Sequence, residues 1–198
     1  MFEIMSKSKS DTYSNSYKGK LLLATPSMGD PRFARAVIYL CGHDENGAMG
    51  IIINKSKDDL HISDLLDRIG IEGKVRVADR PVLSGGPVDI DRGFVLHSKE
   101  YFTENSSLKI SDTLTLTSTK DILEALVTDD APQRAMLAVG YAGWGGGQLE
   151  AELAKNAWLV TQADDALIFG GDLDGKWNAA LAAMGIDPAT LSASGGTA

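Results

Sequence analysis

The sequence predicts one mixed α/β domain, and three observations carry that prediction. Apolar, β-branched runs at 36–41 and 49–53 flank a polar loop ending in Asn46-Gly47, a strong hairpin signal. Ile62, Leu65, Leu66 and Ile69, and later Trp177, Ala180, Leu181 and Met184, recur at helical spacing. The two kinds of segment follow one another without regular alternation, which argues against a doubly wound sheet or a TIM barrel. A chain of 198 residues with 43% hydrophobic and 23% charged residues can bury a sizeable core as a single domain. That domain is expected over 18–191, between polar tails at 1–17 and 192–198 that read as disordered.

Along the chain, Leu21 to Ala24 reads as a short buried strand, followed by a Pro- and Gly-containing connection. After the hairpin, the helix that starts near Ile62 has Gly70 in position to end it. Short strands are expected at 81–83 and 93–96, on either side of Gly85-Gly86-Pro87. Leu114-Thr115-Leu116-Thr117 alternates with period two, so one face should be buried and one wet. Ser118 to Asp121 matches a capping box and should open a helix burying Ile122, Leu123, Leu126 and Val127. A buried strand at 135–141 leads into a Gly-rich turn at 143–147 and a short helix marked by Leu149 and Leu153. Strands are expected at 158–160 and 167–169. The last helix should be capped by Asp174 and ended by Gly185.

Charge and cysteine usage exclude several function classes. Lys and Arg number 19 against 27 Asp and Glu, a net charge of −8. No Lys/Arg cluster stands out, so direct nucleic-acid binding is disfavoured. Cys41 is the sole cysteine, which removes intrachain disulfides and Cys-x-x-Cys chemistry and agrees with a reducing, cytoplasmic setting. The N-terminus has no apolar signal core, and no apolar run approaches a membrane span.

Candidate chemistry is sparse. Residues 143–147 lie between a strand and a helix, where backbone amides can hold an anion, but the dinucleotide fingerprint is not met. A plain turn is the favoured reading, and no cofactor is expected. Ser84 and Ser27 lack the glycine that a nucleophile elbow needs two residues earlier, although His97 and His43 offer bases. Cys41, His43, Asp44, Glu45 and His97 match no metal-ligand spacing, so no metal is expected. Trp144 among glycines either plugs the core or anchors a partner, with the core favoured. Gln148 and Glu152 share a helix face. Arg32 and Arg35 either meet acidic neighbours or form an anion clamp, and the former is favoured.

Read together, several blocks resemble the AlgH/YqgE family of bacterial proteins. They are Ala24-Thr-Pro-Ser-Met-Gly-Asp-Pro-Arg-Phe-Ala-Arg-Ala-Val-Ile-Tyr-Leu-Cys41, the segment from His43 to Asn54, Gly85-Gly-Pro-Val88, Asp91-Arg-Gly-Phe-Val-Leu-His97 and Gly140-Tyr-Ala-Gly-Trp-Gly-Gly-Gly-Gln-Leu-Glu-Ala-Glu-Leu153. Asn156-Ala-Trp158 and Trp177 complete the order. The match spans about 20–186. Departures are Gly42, where Glu is common, Lys55-Ser56 in place of Arg-Pro, and the 170–173 turn. The resemblance implies a branched mixed β-sheet that includes a small barrel, packed by helices, in cytoplasmic proteins of which some carry a transcriptional-regulator label. It supplies no catalytic residues. It implies only a candidate recognition surface of Asp30, Pro31, Arg32, Phe33, Gly85, Gly86, Pro87, Arg92, Tyr141, Trp144, Gln148 and Glu152. The favoured expectation is a regulatory or adaptor protein acting through a protein partner, with no catalysis of its own. The alternatives are a small-molecule or anion binder or enzyme built on the 143–147 turn, and, third, direct DNA binding.

Overall fold

The hairpin expected around Asn46-Gly47 sits at the centre of a curled sheet. In the computed structural model, which describes residues 16–191, ten strands form it: β1 (Lys20–Ala24), β2 (Val37–Asp44), β3 (Gly47–Ile52), β4 (Ser56–His61), β5 (Pro81–Ser84), β6 (Val88–Ser98), β7 (Ser107–Lys109), β8 (Leu114–Thr117), β9 (Ala135–Gly145) and β10 (Trp158–Gln162). Their order is β10-β1-β2-β3-β9-β6-β8-β7, with β4 paired to β5 as a branch. β9 is the branch point. It pairs with β6 between Ala135 and Tyr141, with β5 at Ala138 and Val139, and with β3 from Ala142 to Gly145. Only the β5–β9 pairing is parallel, so the sheet is a mixed half-barrel. Five helices pack on it: α1 (Ile62–Arg68), α2 (Lys120–Ala125), α3 (Gln148–Ala154), α4 (Asp165–Ile168) and α5 (Lys176–Ala183).

Both faces of the sheet are covered, and β1 records this residue by residue. Leu21 and Leu23 point into the cluster with Tyr39, Ile51, Phe94, Tyr141, Trp177 and Leu181. Leu22 points the other way, to Ile38, Leu40, Trp144, Leu149 and Trp158. This is the period of two expected of a strand. A third cluster joins Ile62 and Leu66 of α1 and Ile122 of α2, with Leu126 just beyond it, to Val82, Val95 and Leu137. Each such side chain contributes about 1.5–3 kcal/mol on burial.

The backbone crossing of residues 85–86 over 140–141 explains the Gly-Gly-Pro block. Gly86 and Gly140 have φ of 154° and 74°. A Cβ on Gly86 would collide with the Tyr141 backbone, and one on Gly140 with the Gly86 carbonyl. Only glycine allows this approach.

Several expectations are corrected. The 167–169 segment is helical: Asp164 accepts from the Ala166 amide at 2.8 Å and starts α4, and Lys176 Nζ donates to the Ile168 carbonyl at 2.7 Å beyond its end. The last helix is capped by Gly175, not Asp174, and the Gly175 amide donates to Asp172. All four residues of β8 are buried, and on the threonine face Thr117 is bonded by the His97 and Ser107 side chains. The box at 118–121 does not form. Thr119 is the N-cap of α2, without a side-chain bond, and Ser118 accepts from Arg92 instead. Residues 143–145 belong to β9 rather than to a turn. The hairpin turn shrinks to Glu45-Asn46, β6 extends well beyond the 93–96 core, and β4 and β7 are strands the sequence did not signal. Ser16 and Tyr17, assigned to the N-terminal tail, dock on His43, whereas 1–15 and 192–198 lie outside the described residues.

Candidate functional site

The concave face of the half-barrel opens into a cleft of about 200 Å³. Met49 of β3, Phe94 of β6, Leu108 of β7, Leu116 of β8 and Tyr141 and Trp144 of β9 form a mostly apolar wall. One cation interrupts it. Register between β6 and β9 is lost between Val88 and Gly93, and the residues in between bulge from the ladder. Asp89 takes a left-handed φ of 48° in this bulge, a conformation held at a cost in a non-glycine residue. The bulge brings Asp89 and Arg92 to the cleft.

Arg92 is half-buried and its position is fixed. Its guanidinium donates to Ser118 Oγ at 2.7 Å and lies 5.4 Å from the centre of the Phe94 ring. Tyr141 packs edge-on to the same ring at 5.6 Å. Arg92 forms no ion pair among the described residues. Burial raises the Tyr141 phenol above its usual range. Asp89 adds to this and Arg92 opposes it. A half-buried, oriented guanidinium with no ion pair among the described residues favours an anion brought in by a ligand, although Asp44 and Asp89 also line the cleft.

A buried hydrogen-bond chain runs from this cleft. His97 is fully buried, and its Nδ1–H donates to the Ser98 carbonyl at 2.8 Å. Its Nε2 must therefore accept, from Thr117 Oγ1 at 2.9 Å. Thr117 in turn accepts from Ser107 Oγ at 2.8 Å, Ser107 from Thr103, and Thr103 from Ser106, which lines the cleft. Burial lowers the His97 pKa.

The other motif residues gather in a separate cluster. Trp144 Nε1 and Trp158 Nε1 both donate to Glu152 Oε2, at 2.9 and 2.7 Å. Gln148 donates to Glu152 Oε1 at 2.9 Å and accepts from the Gly145 amide at 3.0 Å. The two indoles meet edge-on at 5.8 Å, and Phe33 meets Trp158 edge-on at 5.7 Å. Trp144 is 6% exposed, so this side chain plugs the core and anchors α3. Asp30 caps the 3-10 turn Pro31–Phe33, accepting from the Arg32 amide and pairing with its guanidinium. That pairing holds the Asp30 carboxyl below its usual range. Of the expected surface, Arg92, Tyr141 and Trp144 thus meet at the cleft. Glu152 binds the Trp144 indole and Gln148, Phe33 meets Trp158 of the same cluster, and Gly85, Gly86 and Pro87 belong to the backbone crossing.

The remaining sequence candidates are engaged as follows. The amide of Gly145 is taken by Gln148, and α3 carries Glu150 in its first turn, which opposes an anion there. His43 accepts from the Tyr17 amide and contacts Glu150 through Nε2 at 2.8 Å, and both ring nitrogens of His97 are engaged by Ser98 and Thr117. No cluster of metal-ligating side chains occurs among the described residues. Cys41, the extra residue of a bulge in β2, is buried, and burial raises its thiol to about 12. No helix among the described residues is long and apolar enough to cross a membrane.

The family model described as AlgH-like matches residues 21–189. The chain belongs to the AlgH-like family. Among similar chains of that family, the UPF0301 protein SPO0296 of Ruegeria pomeroyi is 54% identical over 181 residues, covering 91% of this chain and 98% of that one. A UPF0301 protein of Paracoccus denitrificans is 46% identical over 187 residues, covering 93% and 98%. The solution structure of AlgH from Pseudomonas aeruginosa superposes with a TM-score of 0.73 at 37% identity, covering 98% of this chain and all of that one. A Corynebacterium diphtheriae protein, DIP2367, shares the fold at a TM-score of 0.63 and 21% identity, over 81% of this chain and 83% of its own. The AlgH-like blocks identified in the sequence thus divide between the cleft, the indole cluster and the backbone crossing. The cleft wall also uses Met49 and Leu116, which the sequence marked only as strand residues, and Leu108, which belongs to a strand the sequence did not signal.

Proposed function

We propose that this AlgH-like protein binds a small molecule with an apolar body and one anionic group in the half-barrel cleft. The carrying observation is Arg92, held by Ser118 and Phe94 in a mostly apolar wall with no carboxylate paired to it. The cleft is the size of a compact aromatic or short aliphatic acid, and a few polar groups in an apolar pocket are what orients such a ligand. The reading is non-catalytic: the cleft brings a guanidinium, a phenol and hydroxyls together, but no nucleophile paired with a base.

A regulatory role through a protein partner is the second reading, and one observation favours it. Ile90 is 58% exposed in the bulge between Asp89 and Arg92, so a ligand that engages Arg92 acts on the segment that displays this side chain. Such a protein would report cleft occupancy to its partner. The single buried thiol is consistent with a cytoplasmic setting.

Calorimetric titration with 2-naphthoate tests the first reading. One saturable site is expected, weakened about tenfold or more in Arg92→Met, as for loss of a charged hydrogen bond. Equal binding by the variant, or by uncharged naphthalene, would contradict it.

A further inference from the structure

We propose a second ligand site, distinct from the half-barrel cleft, in which Arg35 and Lys55 hold the phosphate of a small zwitterionic phosphate monoester whose cationic end faces Asp174. The groove lies between the turn at 34–35, the segment at 54–56 and the start of α5, on residues that the half-barrel cleft does not use. Two adjoining hollows of about 330 and 540 Å³ share Asn54, Lys55 and Asp174 as walls, so a ligand in either one meets these three side chains.

Arg32 and Arg35, three residues apart, behave differently. Arg32 is matched by Asp30 at 2.6 Å. Arg35 forms no ion pair among the described residues, and its guanidinium lies 4.9 Å from the centre of the Trp177 ring. The ring is itself fixed, since Trp177 Nε1 donates to the Ala24 carbonyl at 2.9 Å. Arg35 reaches this position from a left-handed backbone, φ 53°, which costs energy in a residue with a Cβ. Asn54 pins that conformation at both ends: it donates to the Arg35 carbonyl at 2.9 Å and accepts from the Val37 amide at 2.8 Å.

Lys55 supplies the second cation. Its Nζ donates to the Arg32 carbonyl at 2.8 Å and has no carboxylate within ion-pair distance among the described residues. Burial alone shifts it, lowering its pKa, so the ammonium carries a desolvation cost that no local charge offsets. An incoming dianion offsets it, while the planar fork of Arg35 supplies two parallel donors. Asp174 lines both hollows and pairs with neither cation, leaving a negative group for the far end of the ligand. Two cations without an ion pair among the described residues thus stand beside Asp174 and beside Asp172, which accepts from the Gly175 amide, in a protein of net charge −8, so the groove offers both signs of charge to a zwitterion.

Calorimetric titration of the full chain with O-phosphoethanolamine, inorganic phosphate and acetate tests this assignment. Saturable binding is expected for O-phosphoethanolamine, weaker binding for phosphate and none for acetate. Arg35→Gly suits the left-handed backbone while removing the guanidinium. It should lower affinity about tenfold or more and leave Tm at or above that of the parent. Lys55→Gln should lower affinity similarly. Asp174→Asn should weaken O-phosphoethanolamine but not phosphate. The proposal is overturned if O-phosphoethanolamine gives no saturable heat at millimolar concentration, if both cation variants bind as the parent does, or if acetate binds as well as the phosphate ester. A drop in Tm in Arg35→Gly with unchanged binding would mean that Arg35 only shields the indole.

Discussion

The Glu152 cluster and the half-barrel cleft both include Trp144, yet they treat polar groups in opposite ways. At Glu152, one carboxylate receives two indole N–H groups and a side-chain amide, so the cluster is satisfied from within. In the cleft, Arg92 has a hydroxyl and an aromatic face but no ion pair among the described residues. Motif residues saturated by one another hold the fold, and those with capacity left over are available to a ligand. The contrast makes Glu152 and Arg92 separable by experiment, since one should carry stability and the other binding.

The largest break strikes the backbone crossing behind Tyr141, a residue of the cleft wall. Gly86→Ala sets a Cβ against the Tyr141 backbone and should cost more than about 3 kcal/mol, read as loss of soluble protein or a collapse of Tm. Next comes Glu152→Ala, which strands two indole N–H groups and should cost about 2–4 kcal/mol by denaturant unfolding. Glu152→Gln keeps an acceptor and should cost less. Arg92→Met should change stability by no more than about 0.5 kcal/mol while removing ligand affinity. If Arg92→Met destabilised as Glu152→Ala does, the distinction between the two regions would fail.

The smallest effect concerns the chain that joins the cleft to His97. Burial holds His97 below its ordinary value of 6.5. As pH falls through about 6.5 the unfolded chain gains a proton that the native state does not, so His97 makes stability decline with acidification and recover as pH rises. Unfolding free energies of parent and His97→Gln should converge on going from pH 7 to pH 5. A difference independent of pH would show that the imidazole does not titrate in this window.

Strands with strong apolar character were legible in the sequence, as were the hairpin, α1, α2, α3 and α5, because local pattern and tertiary burial agree there. The 167–169 segment misled because three apolar residues suit strand or helix alike. What decides is Asp164 at one end and the Lys176 ammonium at the other, the second a contact across the fold. β7 is too short and polar to signal a strand, yet it supplies Leu108 to the cleft. Arg92 and Trp144 could be singled out by motif, but their opposite roles could not. Those depend on Glu152, which receives the Trp144 indole, and on Ser118, which turned from helix cap to guanidinium partner. Trp144 looked like a turn residue because its glycine neighbours mask a strand. The close backbone passage between β3 and β9 depends instead on Gly47, where an added Cβ would collide with the Trp144 carbonyl.

The most direct test of the central claim is a set of intermolecular NOEs from 2-naphthoate to the isotope-labelled chain. The account predicts contacts from the naphthalene protons to the methyl groups of Met49, Leu108 and Leu116, lost in Arg92→Met while the fold is retained. NOEs confined to any other surface, or contacts unchanged in Arg92→Met, would contradict it.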